Sequence, residues 1–289
     1  MKSHGLTFET TTGEFRLLAA GCTQRGTGRE NNEDSIHITP NVELLLVADG
    51  VGGHRAGELA STTAIKEIVA QSDNWPFGGA DDLFQQLIDE ALHRVSRVIT
   101  ELVEIDPEFQ GATTTMTLAL RVDDHLFIAN VGDSRAYRLR DGKLQQLTVD
   151  DSWVEILVRA GALSREEART HPQRNVILSS LGGADFEEDT VHVGVMSLRG
   201  GDRFLISTDG VHDVLSDDDL TELLGSDDSA EAIATQLIDC AVQAGGKDDM
   251  SAVVLEVFQQ EKSDPGLFAR AVERVRIALD DDEPAKVDS

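Results

Sequence analysis

Four places in the 289-residue chain put a carboxylate beside glycine or polar backbone next to an apolar run: Glu33 with Asp34, Asp49-Gly50, Asp209-Gly210, and Asp248. Burying an unpaired acid is costly, and metal coordination is a common remedy. Each place also has a plainer reading. Asp-Gly is an ordinary turn, the polar stretch Thr23 to Asp34 reads as a solvated loop with surface ion pairs, and Asp133 in Gly132 to Arg135 is a turn residue. If the strand ends converge at one rim of a sheet, however, the acids meet, and like charges gathered together require cations. An all-oxygen set suits Mg²⁺ or Mn²⁺ better than Zn²⁺, which prefers sulfur and imidazole. No spacing in the chain matches a zinc motif. Two such ions about 3.5 to 4 Å apart can hold and deprotonate a bridging water for in-line attack on phosphorus. Arg29, close to the same acids, could clamp the phosphate through two hydrogen bonds.

These residues need a scaffold that delivers strand ends to one place. The apolar run Leu44 to Ala48 ends in Asp49-Gly50, as a strand buried on both faces would. Helical periodicity follows over Ala56 to Val69 and about Asp81 to Val103. From Gly111 the period changes to alternation, with strands expected at Thr113 to Arg121, His125 to Val131, Arg135 to Arg140 and Leu144 to Thr148. Asp141-Gly142 is a tight hairpin signal between the last two. Strands joined by hairpins imply antiparallel sheets. Ser152 to Asp189 reads as an irregular insertion and candidate flap, with a short helical pattern near Val154 to Ala160 and a capping-type start at Ser164. Strands resume at Thr190 to Met196 and Arg203 to Thr208, helices at about Ser216 to Leu224 and Ser229 to Ala244, and a final strand at Ser251 to Phe258. Beyond Gln259, Ser263-Asp264-Pro265 starts an amphipathic helix through about Leu279, and an acidic tail expected to be disordered closes the sequence. The expected organisation is therefore one domain over 1–258 and a helix with a tail over 259–289.

The hydrophobic content of 40% is enough for a sizeable core. A formal net charge of -28 argues against nucleic acid or an anionic membrane as main partner. Cys22 and Cys240 read as two reduced, buried thiols rather than a disulfide framework. No signal core or spanning run is evident, so a cytoplasmic protein is expected.

In seven stretches taken in order, the chain resembles the bacterial metal-dependent Ser/Thr protein phosphatases of type 2C. They are GRENNEDS (28–35), LLLVADGVGGHRAGELAS (44–61), GATTT (111–115), ANVGDSRAYRLRDGKLQQLT (129–148), ARTHPQRNVI (168–177), FLISTDGVHDVLSDDDL (204–220) and GGKDDMSAVVLEV (245–257). Each is weak alone, and together they are highly specific. The resemblance implies an α+β fold, an α-β-β-α sandwich of two antiparallel sheets flanked by helices. It also implies hydrolysis of phosphoserine and phosphothreonine on proteins at a two-ion centre of Mn²⁺ or Mg²⁺, with a third ion in some relatives. By position, Asp49 would bridge both ions with the Gly50 carbonyl contributing. Asp209 and Asp248 would bind one ion and Glu33 the other, with Asp34 close by. Asp133 would join Asp209 at the third ion, Arg29 would bind phosphate, and His171 to Arg174 would belong to a mobile flap. The implied partners are phosphoproteins made by a Ser/Thr kinase, met by a monomer. A catalytically weak regulatory binding module on the same fold is the alternative, and a small-molecule phosphohydrolase a third.

Two positions depart from the family pattern. Relatives with a general-acid His carry it directly after Asp-Gly, where this chain has Val51, as many bacterial members have an apolar residue; His54 is a weaker substitute. Asp249 stands where the family usually has Asn, and the expectation from charge alone is tighter divalent binding.

Overall fold

The computed structural model describes residues 4–53, 55–76, 80–184, 186 and 191–260. Among them the strands form two antiparallel sheets. One runs, in spatial order, β1 (His4–Thr12), β2 (Phe15–Gln24), β12 (Met250–Gln259), β11 (Arg203–Ser207), β8 (Arg135–Arg140) and β9 (Lys143–Gln146). The other runs β10 (His192–Ser197), β7 (His125–Val131), β6 (Met116–Val122), β4 (Leu44–Val51) and β3 (Asp34–Ile38), with the two-residue β5 (Thr113–Thr114) paired to the end of β4.

Period-two alternation explains the layering. In β4, Leu44, Leu46 and Ala48 pack with Ala64, Ile65 and Ile68 of α1 (Arg55–Ser72) and with Phe84, Ile88 and Leu92 of α2 (Asp81–Ile105). Leu45 and Val47 of the same strand face the other way, into a core between the sheets shared with Leu17, Phe204, Val253 and Leu255. In β12, Ala252 and Val254 pack under α6 (Asp217–Gly225) and α7 (Ala230–Gln243), whereas Val253 and Leu255 point inward. The order is helices, sheet, sheet, helices, the expected α-β-β-α sandwich. Each fully buried Leu or Ile in these layers contributes about 1.5–3 kcal/mol of transfer free energy.

Several elements were not anticipated, among them a 3₁₀ turn at Pro107–Phe109. β1 is an edge strand whose alternation of Leu6 and Phe8 with threonines is brief and polar. β3 emerges from what reads as a polar loop. The run from Thr113 to Arg121 is two strands, because Thr115 turns to donate its amide to the Asp49 carbonyl at 2.9 Å. Cys22 is buried and Cys240 half-buried, and both are free thiols, so only the first matches the expected burial. The helix expected at 265–279 and the tail lie outside the described residues. Among the described residues no helix is long and apolar enough to cross a membrane.

Candidate metal and phosphate site

β3 and β4 pair with Asp34 opposite Asp49. The main chain of Asp49 is held on both sides. Its amide donates to Thr115 Oγ1 at 3.0 Å, and its carbonyl accepts from Thr114 Oγ1 at 2.7 Å and from the Thr115 amide. The next residue, Gly50, donates its amide to the Glu33 carbonyl at 3.1 Å. A side chain cannot be accommodated at Gly50, where a β-carbon would run into the backbones of Gly57 and Glu33. The end of β4, the approach to β3 and the first turn of α1 are therefore in backbone contact.

The second sheet supplies the other acids. β11 runs through Thr208 into Asp209, which opens the short helix α5 (Asp209–His212) rather than a simple turn. Thr208 Oγ1 donates to Asp34 Oδ2 at 2.9 Å, and in turn accepts from the Ser251 amide at 3.0 Å. The charge of Asp209 bears directly on the buried carboxyl of Asp49. Asp133 lies in the connection from β7 to β8, where the chain crosses between sheets, and is buried. Its neighbour Ser134 shares a 2.8 Å hydrogen bond with Thr115.

Burial pushes Asp34, Asp49 and Asp209 well above the usual carboxylate range, and the neighbouring acids push them further. Burial, then Asp150 and Asp213, pushes Asp133 up to about 7.

Arg29 sits at the lip with its side chain 38% exposed. Its guanidinium reaches Glu33 Oε2 at 3.4 Å and pairs with Asp248 Oδ1. Asp249, whose charge raises the pKa of buried Asp34, also has a structural role that the sequence did not suggest. Both of its carboxylate oxygens accept backbone amides, from Gly26 and Glu33, each at 2.8 Å.

The insertion holds α3 (Trp153–Arg159) and α4 (Arg165–Thr170), the latter started by a full capping box between Ser164 and Glu167. Arg169 donates to the carbonyls of His212 at 3.2 Å and Leu215 at 2.7 Å, and Arg174 pairs with Asp213 at 3.4 Å. A cavity of about 490 Å³ lies between this segment and α5–α6, with Asp133 and Asp209 in its wall. His212 is buried and its pKa is held well below the usual value, first by burial and then by Arg135 and Arg169. Val51 is partly exposed beside the site, and His54 lies outside the described residues.

Among the described residues no group of three or more His, Cys, Asp or Glu side chains forms a ready metal cage. The donor chemistry nevertheless fits hard divalent cations. Asp34, Asp133 and Asp209 each keep a buried Oδ1 with no hydrogen-bond partner, in a neighbourhood where acids disfavour one another's charge. The residues that sequence reasoning missed are Thr114, Thr115 and Thr208, which orient Asp49 and Asp34. Thr208 adjoins Asp209 in FLISTDG, whereas Thr114 and Thr115 lie in GATTT, which holds no acid, 65 and 66 positions from Asp49.

Comparison with known proteins shows what the chain as a whole is similar to. Residues 22–254 match the family described as protein phosphatase 2C. Over 245 residues the chain is 40% identical to serine/threonine protein phosphatase PstP of Mycobacterium tuberculosis, covering 85% of this chain and 46% of that protein. The chain thus spans about half the length of that relative. Serine/threonine phosphatase stp of Listeria monocytogenes is 33% identical over 241 residues, 81% of this chain and 93% of that one. Among solved structures, the catalytic domain of PstP in complex with two manganese ions superposes with a TM-score of 0.74 at 37% identity, covering 84% of this chain and 99% of that one.

Proposed function

Because the chain belongs to the protein phosphatase 2C family, we propose that it hydrolyses phosphoserine and phosphothreonine on proteins. The carrying observation is the group of acids from both sheets, three with an unpartnered buried oxygen, set beside Arg29. Asp49 with the Gly50 carbonyl would hold both cations, Asp209 and Asp248 would serve one, and Glu33 with Asp34 nearby the other. Divalent cations, when bound, supply Lewis acidity that acidifies a water and neutralises charge developing on phosphorus. The chain's own part is to hold these groups and to orient the phosphate. The Asp248 and Glu33 carboxylates aim the Arg29 guanidinium, whose planar fork matches two phosphate oxygens. Thr208 keeps Asp34 in place from the opposite sheet. Val51 has no proton to give, so the leaving serine or threonine oxygen takes its proton from another source.

The reading extends to two ions with Asp133 and Asp209 available for a third, to either Mn²⁺ or Mg²⁺, to substrates phosphorylated by a Ser/Thr kinase, and to a monomer in the cytoplasm. It assigns catalysis to 1–258, with 259–289 as an appendage. The alternative of a catalytically weak binding module has no observation in its favour, since Arg29 and every proposed acid are present.

Turnover of p-nitrophenyl phosphate and a phosphothreonine peptide with Mn²⁺ tests the proposal. Activity is expected, lost with chelator and in Asp209→Ala. No turnover at saturating Mn²⁺ contradicts it, and turnover of small esters with none of phosphopeptides restricts it to small molecules.

A further inference from the structure

The loop that carries Arg29 leaves β2 after Gln24 and enters β3 at Asp34, and one carboxylate spans its two ends. Gly26 donates its amide to Asp249 Oδ1 and Glu33 donates its amide to Asp249 Oδ2, both at 2.8 Å. Asp249 is only 2% exposed, so water does not compete for those bonds. Gly26 lies so close to the carbonyls of Lys247 and Asp248 that a β-carbon would collide with them. The adjacent Asp248 takes the Arg29 guanidinium from the same stretch, and accepts the Asp249 amide at 2.8 Å. Two consecutive acids thus divide the work. Asp248 holds the head of Arg29 and Asp249 holds the backbone beneath it.

We propose that Asp249 is a positioning residue that sets the Arg29 loop at the distance the phosphate requires. The inference rests on the phosphatase reading only in supposing that Arg29 meets phosphate. The carboxylate is suited to the task because it offers an acceptor to each of two converging N–H groups. An amide in its place offers one acceptor and turns an NH₂ donor toward the other N–H. The loop would then be held at one end.

Hydrogen exchange on the full chain tests the clamp without turnover. In the unaltered protein the Gly26 and Glu33 amides are expected to exchange as slowly as those of β12, and exchange at open-loop rates overturns the proposal even if no variant folds. In Asp249→Asn one of the two amides should exchange about tenfold faster or more, and in Asp249→Ala both should, given the strength of hydrogen bonds to charged groups. Kinetics with a phosphothreonine peptide should show KM raised severalfold in Asp249→Asn, kcat changed less, and the Mn²⁺ midpoint unmoved. An unmoved KM with a shifted Mn²⁺ midpoint would instead assign the carboxylate to the cations and sink the positioning role. If the protein turned over no phosphoester at all, the exchange result would still stand, so the clamp and the phosphatase reading fail separately.

Discussion

Asp34 and Asp49 face each other across one step of the β3–β4 pair, so two carboxyls share a place where a sheet ordinarily puts uncharged side chains. Both are pushed above the usual carboxylate range, first by burial. Replacing Asp49 by the isosteric Asn removes one charge from this crowd. In cation-free protein, Asp49→Asn should raise Tm, by about 2–4 °C for each kcal/mol relieved. The same change should reduce Mn²⁺-dependent turnover by more than about a hundredfold. A lowered Tm under chelator would show that the pair is not a source of strain.

Asp133 carries a pH signature. Its carboxyl is pushed up to about 7 in the fold, from 3.8 in the open chain. A raised acid favours the folded state fully below its unfolded value, and that advantage disappears as pH rises through the folded value. Chelated protein should therefore lose stability between about pH 4 and 7 through this group. Thermal unfolding across that range, with and without Asp133→Asn, measures it; an equal slope in the variant would exclude Asp133 as the cause.

Arg29→Lys keeps the charge and loses the fork. With charge-assisted hydrogen bonds worth about 1.5–3 kcal/mol, Arg29→Ala should raise the phosphopeptide KM roughly tenfold or more. Lysine should recover only part of this. Because Asp248 loses its guanidinium partner in the alanine variant, Mn²⁺ affinity should hold or improve. Weaker Mn²⁺ binding in that variant would contradict the pairing seen here.

Gly50→Ala introduces a β-carbon into the backbones of Gly57 and Glu33. The backbone cannot step aside cheaply, so a loss of about 1–3 kcal/mol or more in chemical denaturation is expected. Wild-type stability in Gly50→Ala would mean that α1 can shift away from β4.

The strand of β4 was legible as a near-continuous apolar run ending in turn residues, and the layering was legible through the resemblance to the phosphatase family. The acids were legible because Asp49 and Asp209 each follow a buried strand. What could not be read was the partner of each polar group. Asp249 looked like one more acid beside Asp248, yet its oxygens are taken by amides that lie 216 and 223 positions away in the chain. Thr208 likewise reaches Asp34 across 174 positions. Such pairings are decided by tertiary approach, which local periodicity does not encode. β1 and β3 were missed for a related reason: edge strands rich in polar residues owe their form to the neighbour they pair with.

The acids do not belong to one sheet. Asp34 and Asp49 come from one sheet, Asp209 and Asp248 from elements bordering the other, and Asp133 from the crossing between them. Any ion held by this group would rivet the two sheets against sliding, and its binding energy would be returned as folding stability. The ionic content of the surroundings then acts on the whole sandwich as a mechanical tie, stiffening the seam when cations are plentiful and loosening it when they are scarce.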